Sequence, residues 1–244
     1  MRRLKAALHR GFALAFVCFP LVVSASGGLR AAAADADMAL GEVIRDIEHR
    51  RTDDALKKVD ALLLRYPNFR LAHLIRGDLL LARTRPLSAF GDSPEAPAEK
   101  LADLREEAIA RLKAYRYRPP SNYVPRYLLQ MEPDQKFAIV VDTQRSRLYI
   151  YQNDNGRPRF VADYYIAHGK LGAEKTREGD KRTPVGVYHV TANLPRQKLS
   201  DFYGSGAFPI NYPNEWDRQQ GRNGHGIWLH GTPSDTYSRP PRAS

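Results

Sequence analysis

The spacing of apolar residues in this chain changes period once, and that change divides it into two kinds of structure. From Met38 to about Tyr115 the spacing is helical: Leu56, Val59, Leu62 and Leu63 form one stripe, Tyr66-Pro67-Asn68 interrupts it, and Leu71, Leu74, Ile75 and Leu79 resume it. The segment Ala55 to Ala82 therefore reads as a tetratricopeptide-like helical hairpin. No second copy recurs at a fixed period, and a lone hairpin cannot bury both faces, so it is expected to pack on neighbouring helices. Ser93-Pro94-Glu95 predicts the start of a further helix, with Leu101, Leu104, Ala108 and Leu112 as its core-facing stripe.

Two prolines in Arg118-Pro119-Pro120-Ser121-Asn122 oppose both helix continuation and a central strand, which predicts a linker. Beyond Phe137 the period becomes two. Phe137-Ala138-Ile139-Val140-Val141 reads as a buried strand, and Leu148 and Ile150 alternate with Tyr149 and Tyr151 in a second strand that ends at the turn Asn155-Gly156. Phe160 to Ala167, Gly186 to Val190 and Ile227 to Leu229 are the remaining predicted strands. Strands without long helices between them imply a mostly antiparallel sandwich or barrel, so the expected fold is an α+β two-part chain. Its expected parts are a leader over residues 1–34, a helical domain over 35–117, a linker over 118–135 and a β-domain over 136–244.

The leader is read from Arg2, Arg3, Lys5 and Arg10, the apolar run Phe12 to Val23, and the small residues through Ala31-Ala32-Ala33-Ala34, the pattern of a secretory signal peptide. Export to the periplasm is the expectation; an uncleaved N-terminal membrane anchor is the alternative. The net charge is +11 over 244 residues. Removing residues 1–34 takes away five of the 38 basic side chains and none of the 27 acidic ones, leaving a net of +6. So mild a charge favours contact with anionic wall polymer or a membrane surface, and no basic run interleaved with stacking aromatics indicates nucleic acid. The sole cysteine, Cys18, lies in the leader, so the mature fragment has no disulfide and relies on its core.

The chemistry concentrates at the far end, in Gly226-Ile227-Trp228-Leu229-His230-Gly231-Thr232-Pro233. A short apolar strand that delivers a histidine into a glycine turn holds an imidazole rigidly at a strand end, where a general base belongs. Such a base needs a nucleophile, and Cys18 is far from it in sequence. Serine routes have no signature, since neither Ser-x-x-Lys nor Gly-x-Ser-x-Gly occurs and Gly204-Ser205-Gly206 reads as a flexible loop. No metal-ligand spacing occurs either, and His225, five residues before His230, would face the opposite side of a continuous strand. His168 and His189 read as core or surface residues.

Taken together, Thr183-Pro184-Val185-Gly186, Gly226-Ile227-x-x-His230-Gly231, Phe208 to Asn214 and Ile139-Val140-Val141-Asp142 resemble the L,D-transpeptidase (YkuD-type) catalytic domain of bacterial cell-wall enzymes, over roughly Phe137 to Ser244. That resemblance implies a β-sandwich and a cysteine acyl transferase acting on peptidoglycan stem peptides without a cofactor. It implies His230 as the base and Gly231 beside it. Ser244 would open the Ser/Thr-x-Gly-Cys turn whose backbone N–H groups stabilise the oxyanion, so the cysteine would lie three positions beyond Ser244.

The aromatic, proline and amide-rich stretch Phe202 to Trp216 suits a rigid peptide groove. Asn211, Tyr212, His225 and Trp228 are read as its substrate-facing residues, while Lys198, Arg218 and Arg222 read as solvated charge. Water in place of an amine acceptor would make the same site a hydrolase or amidase that releases stems or wall-linked protein. If the chain ends at Ser244, a peptidoglycan-binding module without activity is the remaining reading. The helical domain is a candidate site for a wall-linked protein or another wall enzyme.

Overall fold

Helical spacing before residue 117 becomes four helices: α1 (Gly27–Glu48), α2 (Thr52–Arg65), α3 (Arg70–Leu81) and α4 (Ala98–Arg116). The computed structural model describes residues 14–19, 27–117, 119–120 and 122–243, with side chains from Ala36 onward; most of the expected leader, and Ser244, lie outside the described residues. On α2 the buried positions are Ala55, Val59 and Leu62, spaced to fall on one face, with Asp53 and Asp54 in the first turn and Arg65 in the last, where they complement the helix dipole. The hairpin of α2 and α3 does not stand alone. Leu40 and Val43 of α1 close one side of its core, Leu104 and Ala108 of α4 pack against it, and so does Tyr237 from the far end of the chain.

Helix α4 departs from expectation in two ways. It starts at Ala98 instead of at Ser93-Pro94-Glu95, because Pro97 disfavours the α conformation in the residue before it and so fixes the start. Of the expected stripe only Leu101 is fully buried; the other fully buried side chains on α4 are Glu107 and Arg111. Among the described residues no helix is long and apolar enough to cross a membrane.

Period two becomes two packed sheets. The larger contains β1 (Leu14–Phe19), β2 (Phe137–Asp142), β3 (Arg147–Asp154), β4 (Arg157–Tyr165) and β5 (Gly186–His189) in the order β4-β3-β2-β1-β5, antiparallel except for the β1–β5 pair. The backbone of Leu14–Phe19, from the expected leader, thus runs between β2 and β5. The smaller sheet has β6 (Leu194–Pro195), β7 (Gly206–Pro209) and β8 (Trp228–His230), all antiparallel. A register shift at Ile150/Tyr151 in the β3–β4 pair marks a bulge.

Both faces of the larger sheet are covered, which explains why β2 is apolar at successive positions. Phe137, Ile139 and Val141, with Leu148, pack against Phe208 and Leu229 of the smaller sheet and Ile227 beside it. Ala138 and Val140, with Tyr149 and Tyr151, face the other way against Leu128 and Met131 of the segment that connects α4 to β2.

Candidate functional site

Pairing of β7 with β8 sets His230 opposite Ala207 and Trp228 opposite Pro209, so the imidazole leaves the sheet at its rim. Two glycines allow the turn beneath it. A side chain on Gly231 would meet the Ser205 nitrogen at 2.8 Å, and one on Gly204, whose φ is +58°, would strike the Thr232 carbonyl. The Gly231 N–H donates to the carbonyls of Tyr203 and Gly206, both at 3.1 Å, locking the two segments together. Gly204-Ser205-Gly206, expected to be a flexible loop, is therefore a tight backbone junction running into β7.

The His230 ring lies 5.4 Å from Phe202, tilted by 31°, and 5.4 Å from Tyr203, edge-on, and Tyr203 in turn packs on Trp228 at 5.0 Å. Nδ1 of His230 is 2.8 Å from the Gly231 carbonyl oxygen. A carbonyl only accepts, so the contact places the proton on Nδ1 and leaves Nε2 with its lone pair. One side of the ring is open to solvent, yet the packing on the other side desolvates it and pulls its pKa below the ordinary histidine value, with the nearby charge of Arg239 adding to the shift. The result is a neutral, oriented imidazole at neutral pH.

From Gly231 the chain runs as an arm along the helical region. Asn68 donates to the Ser234 carbonyl at 3.2 Å, the Leu71 N–H donates to Ser238 Oγ at 3.1 Å, and Tyr237 packs on Phe69 at 4.9 Å and Tyr66 at 5.2 Å. Ser234 donates from N and Oγ to Asp201 Oδ2 at 3.0 and 2.9 Å, which ties the arm to the turn that carries Phe202 and holds the Asp201 pKa below the ordinary carboxylate range. At its end the arm bonds to the sheet: the His168 N–H donates to Pro241 O and the Ala243 N–H to His168 O, each at 2.9 Å.

Under the arm lies a buried charged cluster. Arg111 of α4 pairs with Asp37 of α1 and, at 2.8 Å, with Glu107; Arg147 of β3 reaches the same Asp37 at 2.6 Å and pairs with Asp163 of β4. The Arg111 guanidinium lies 4.0 Å from the centre of the Tyr165 ring. Burial pushes the Glu107 pKa up to about 7 despite the attraction of Arg111, and burial likewise raises Tyr165 and Tyr237.

The residues around Thr183-Pro184-Val185-Gly186 form a second rigid lobe. Thr183 Oγ1 accepts from the Gly169 N–H at 2.9 Å, joining the end of the β4 segment to the start of β5. Within the lobe, Asp180 accepts from Lys175 Nζ at 2.8 Å and from the N–H groups of Thr176, Arg177 and Arg182. Burial pulls the Asp180 pKa upward, but these four donors outweigh it and hold the group well below the usual range. Asn223 bonds the lobe to the approach to β8, through Thr176 O and the Glu178 N–H.

The substrate-facing set expected from sequence is only partly brought together. Trp228 sits beside Tyr203 in the aromatic group around His230. Tyr212 is a core residue, buried against Tyr188 with its hydroxyl donated to the Asn223 carbonyl at 3.0 Å, and we assign it to packing. Asn211 extends the edge of β5: its Oδ1 accepts from the His189 N–H at 2.8 Å. Asn214 caps a short helix, α5 (Glu215–Gln219), in a capping box with Asp217. His225 is exposed with Nδ1 3.2 Å from Glu178 Oε1. Gly224 and Gly226, both at positive φ, break the extended run before β8, so strand parity does not relate His225 to His230.

Of the cations read as solvated, Arg218 is exposed beside Glu215 but Arg222 is bonded to the buried Asp217 at 2.9 Å. Among the described residues no group of three or more His, Cys, Asp or Glu side chains is placed to hold a metal ion. Sequence reading missed Phe202, Tyr203 and Arg239 as neighbours of His230, while His168, read as a core or surface residue, is partly buried, and its Nδ1 has no partner among the described residues. The pattern Gly-Ser-Gly after two adjacent aromatics was the visible signal for the first pair.

Residues 136–244 match the family of the L,D-transpeptidase catalytic domain, YkuD. Among solved structures the chain is similar to the helical cell shape determining protein Pgp2 from Campylobacter jejuni, at 33% identity, covering 39% of this chain and 33% of that one with a TM-score of 0.35. It is also similar to Bd1075 of Bdellovibrio bacteriovorus, at 28% identity, covering 44% of this chain and 37% of that one with a TM-score of 0.37. The matched part thus spans about a third of the length of either protein. Among curated proteins no match is found.

Proposed function

We propose, on the ground that residues 136–244 match the L,D-transpeptidase (YkuD) catalytic-domain family, that the full-length protein is an exported cysteine acyl transferase acting on peptidoglycan stem peptides. The observation that supports this best is the state of His230: Nδ1 committed to the Gly231 carbonyl, Nε2 free, and the ring neutral at the sheet rim. An oriented neutral imidazole is the base a thiol nucleophile needs. The thiol in this reading belongs to a cysteine that follows Ser244.

The chemistry then runs in two steps. Nε2 takes the thiol proton, the thiolate attacks the carbonyl of the third stem residue, and the C–N bond to the terminal D-alanine breaks as the imidazolium returns the proton to the leaving amine. A thioester remains. An acceptor amine, deprotonated by His230, attacks that thioester, the new C–N bond forms, and the C–S bond breaks to regenerate the thiol. Water in the acceptor's place gives hydrolysis by the same first step, releasing stems or wall-linked protein.

Incubating the full-length protein with tetrapeptide-bearing muropeptides and analysing the products by mass spectrometry tests the reading. Loss of D-alanine, with a cross-linked or shortened product, is the expected outcome; intact muropeptides would refute it. Recovery of the native protein from the periplasmic fraction with its leader removed is the corresponding expectation for location.

A further inference from the structure

We propose that Arg239 is a substrate-docking residue that binds a carboxylate of the stem peptide beside His230. The inference deepens the acyl-transferase reading and rests on it for the identity of the ligand. Its basis is a contrast between how the main chain and the side chain of Arg239 are held.

The main chain is pinned on both sides. The Tyr165 hydroxyl donates to the Arg239 carbonyl at 2.7 Å, and the preceding Ser238 accepts from the Leu71 N–H of α3. Tyr237, one residue earlier, is seated in the helical core. By contrast, the guanidinium has neither a hydrogen bond nor an ion pair among the described residues; its contact is with the face of the Phe202 ring, 5.8 Å to the centroid. The neighbouring Arg242 reaches Glu106, and Arg111 and Arg147 are saturated by Asp37, Glu107 and Asp163.

A half-buried cation kept without a counter-ion, on a backbone fixed in advance, loses little freedom on meeting an anion. Its fork of N–H donors matches the two oxygens of a carboxylate. Phe202, shared between Arg239 and His230, sets the two groups on one aromatic platform. Carboxylates are what a stem peptide offers there, at its C-terminus and on its acidic side chains. Binding also serves the base: the positive charge of Arg239 weakens His230, and a carboxylate on the guanidinium cancels that effect as substrate arrives.

The experiment compares the full-length protein with its Arg239→Gln and Arg239→Lys variants on three forms of one tetrapeptide stem: the free acid, its C-terminal carboxamide, and the form amidated on its side-chain carboxylate. Wild type should prefer the free acid to one of the amides by roughly ten- to a hundredfold in kcat/KM, the scale of a charge-assisted hydrogen bond. The amide that loses the preference identifies the carboxylate. Arg239→Gln should abolish the preference, chiefly through KM on the free acid, and Arg239→Lys should keep part of it, while the exposed Arg218→Gln leaves it intact. Equal losses on all three peptides, or none, would overturn the proposal.

Should wild type turn over none of them, the acyl-transferase reading fails, and binding decides the docking claim separately. The free acid should then shift the His230 resonances of wild type but not of Arg239→Gln. Equal shifts in both would overturn it.

Discussion

Tyr165 of β4 and Arg239 of the arm are joined by a 2.7 Å hydrogen bond from the Tyr165 hydroxyl to the Arg239 carbonyl, across 74 residues of chain. The same ring covers the Arg111 guanidinium of α4. Helices, sheet and arm thus meet at one tyrosine, and the helical region is part of the support of the His230 site.

Arg111 is therefore expected to matter for both stability and activity. Arg111→Met leaves the buried Glu107 without its cationic partner and Asp37 with Arg147 alone, which should cost roughly 3–5 kcal/mol in urea unfolding. The milder Glu107→Gln should fold, and it isolates a pH effect. With its folded pKa raised from 4.5 to about 7, Glu107 binds its proton more tightly in the folded state. Its contribution to stability is fully present below 4.5 and is lost as pH rises to about 7. Unfolding midpoints measured across that window should fall with pH in wild type and fall less in Glu107→Gln.

Asp180 should behave in the opposite sense. Its lowered folded pKa means that its contribution is present above 3.8 and lost as the medium becomes more acid. Asp180→Asn leaves Lys175 unpaired in a site where both side chains are under a tenth exposed, and is expected to cost about 3 kcal/mol at neutral pH and far less in acid. Parallel denaturant curves at the two pH values check this.

The junction of Gly204 with Gly231 should tolerate no side chain. Gly204→Ala places a methyl group against the Thr232 carbonyl at a φ of +58° and is predicted to cost about 2–4 kcal/mol, combining strain and overpacking. Because the displaced segment carries His230, kcat should fall more than KM rises. Gly77→Ala, with open space around the added carbon, is the control.

How much of this was legible in the sequence depended on how local the cause was. Strand β2 could be read because both of its faces are buried, and the α2–α3 hairpin because one stripe on each helix makes the core. Helix α5 carried a readable cap in Asn214 and Asp217 that went unused. Strand β7 could not be read in the same way. Gly206-Ala207-Phe208-Pro209 has a turn-like composition and becomes a strand only through partners at Leu194 and Trp228. His230 stood out through its glycine and its apolar approach, whereas Tyr212 and Asn211 looked like groove residues and are held in the structure by Asn223 and His189. Arg239 had no signal, because its setting comes from Leu71 and Tyr165, which are distant in sequence.

The central claim is that His230 activates a thiol, and the covalent intermediate tests it most directly. Full-length protein mixed briefly with a tetrapeptide stem and examined by intact mass should gain the mass of the tripeptidyl acyl group on a cysteine beyond Ser244, as a thioester that hydroxylamine removes. His230→Ala should form it roughly 10²–10⁴-fold more slowly, and the rate in wild type should decline with acid through an apparent pKa below the ordinary histidine value of 6.5. An adduct that forms equally fast without the imidazole, or no adduct at all, would contradict the account.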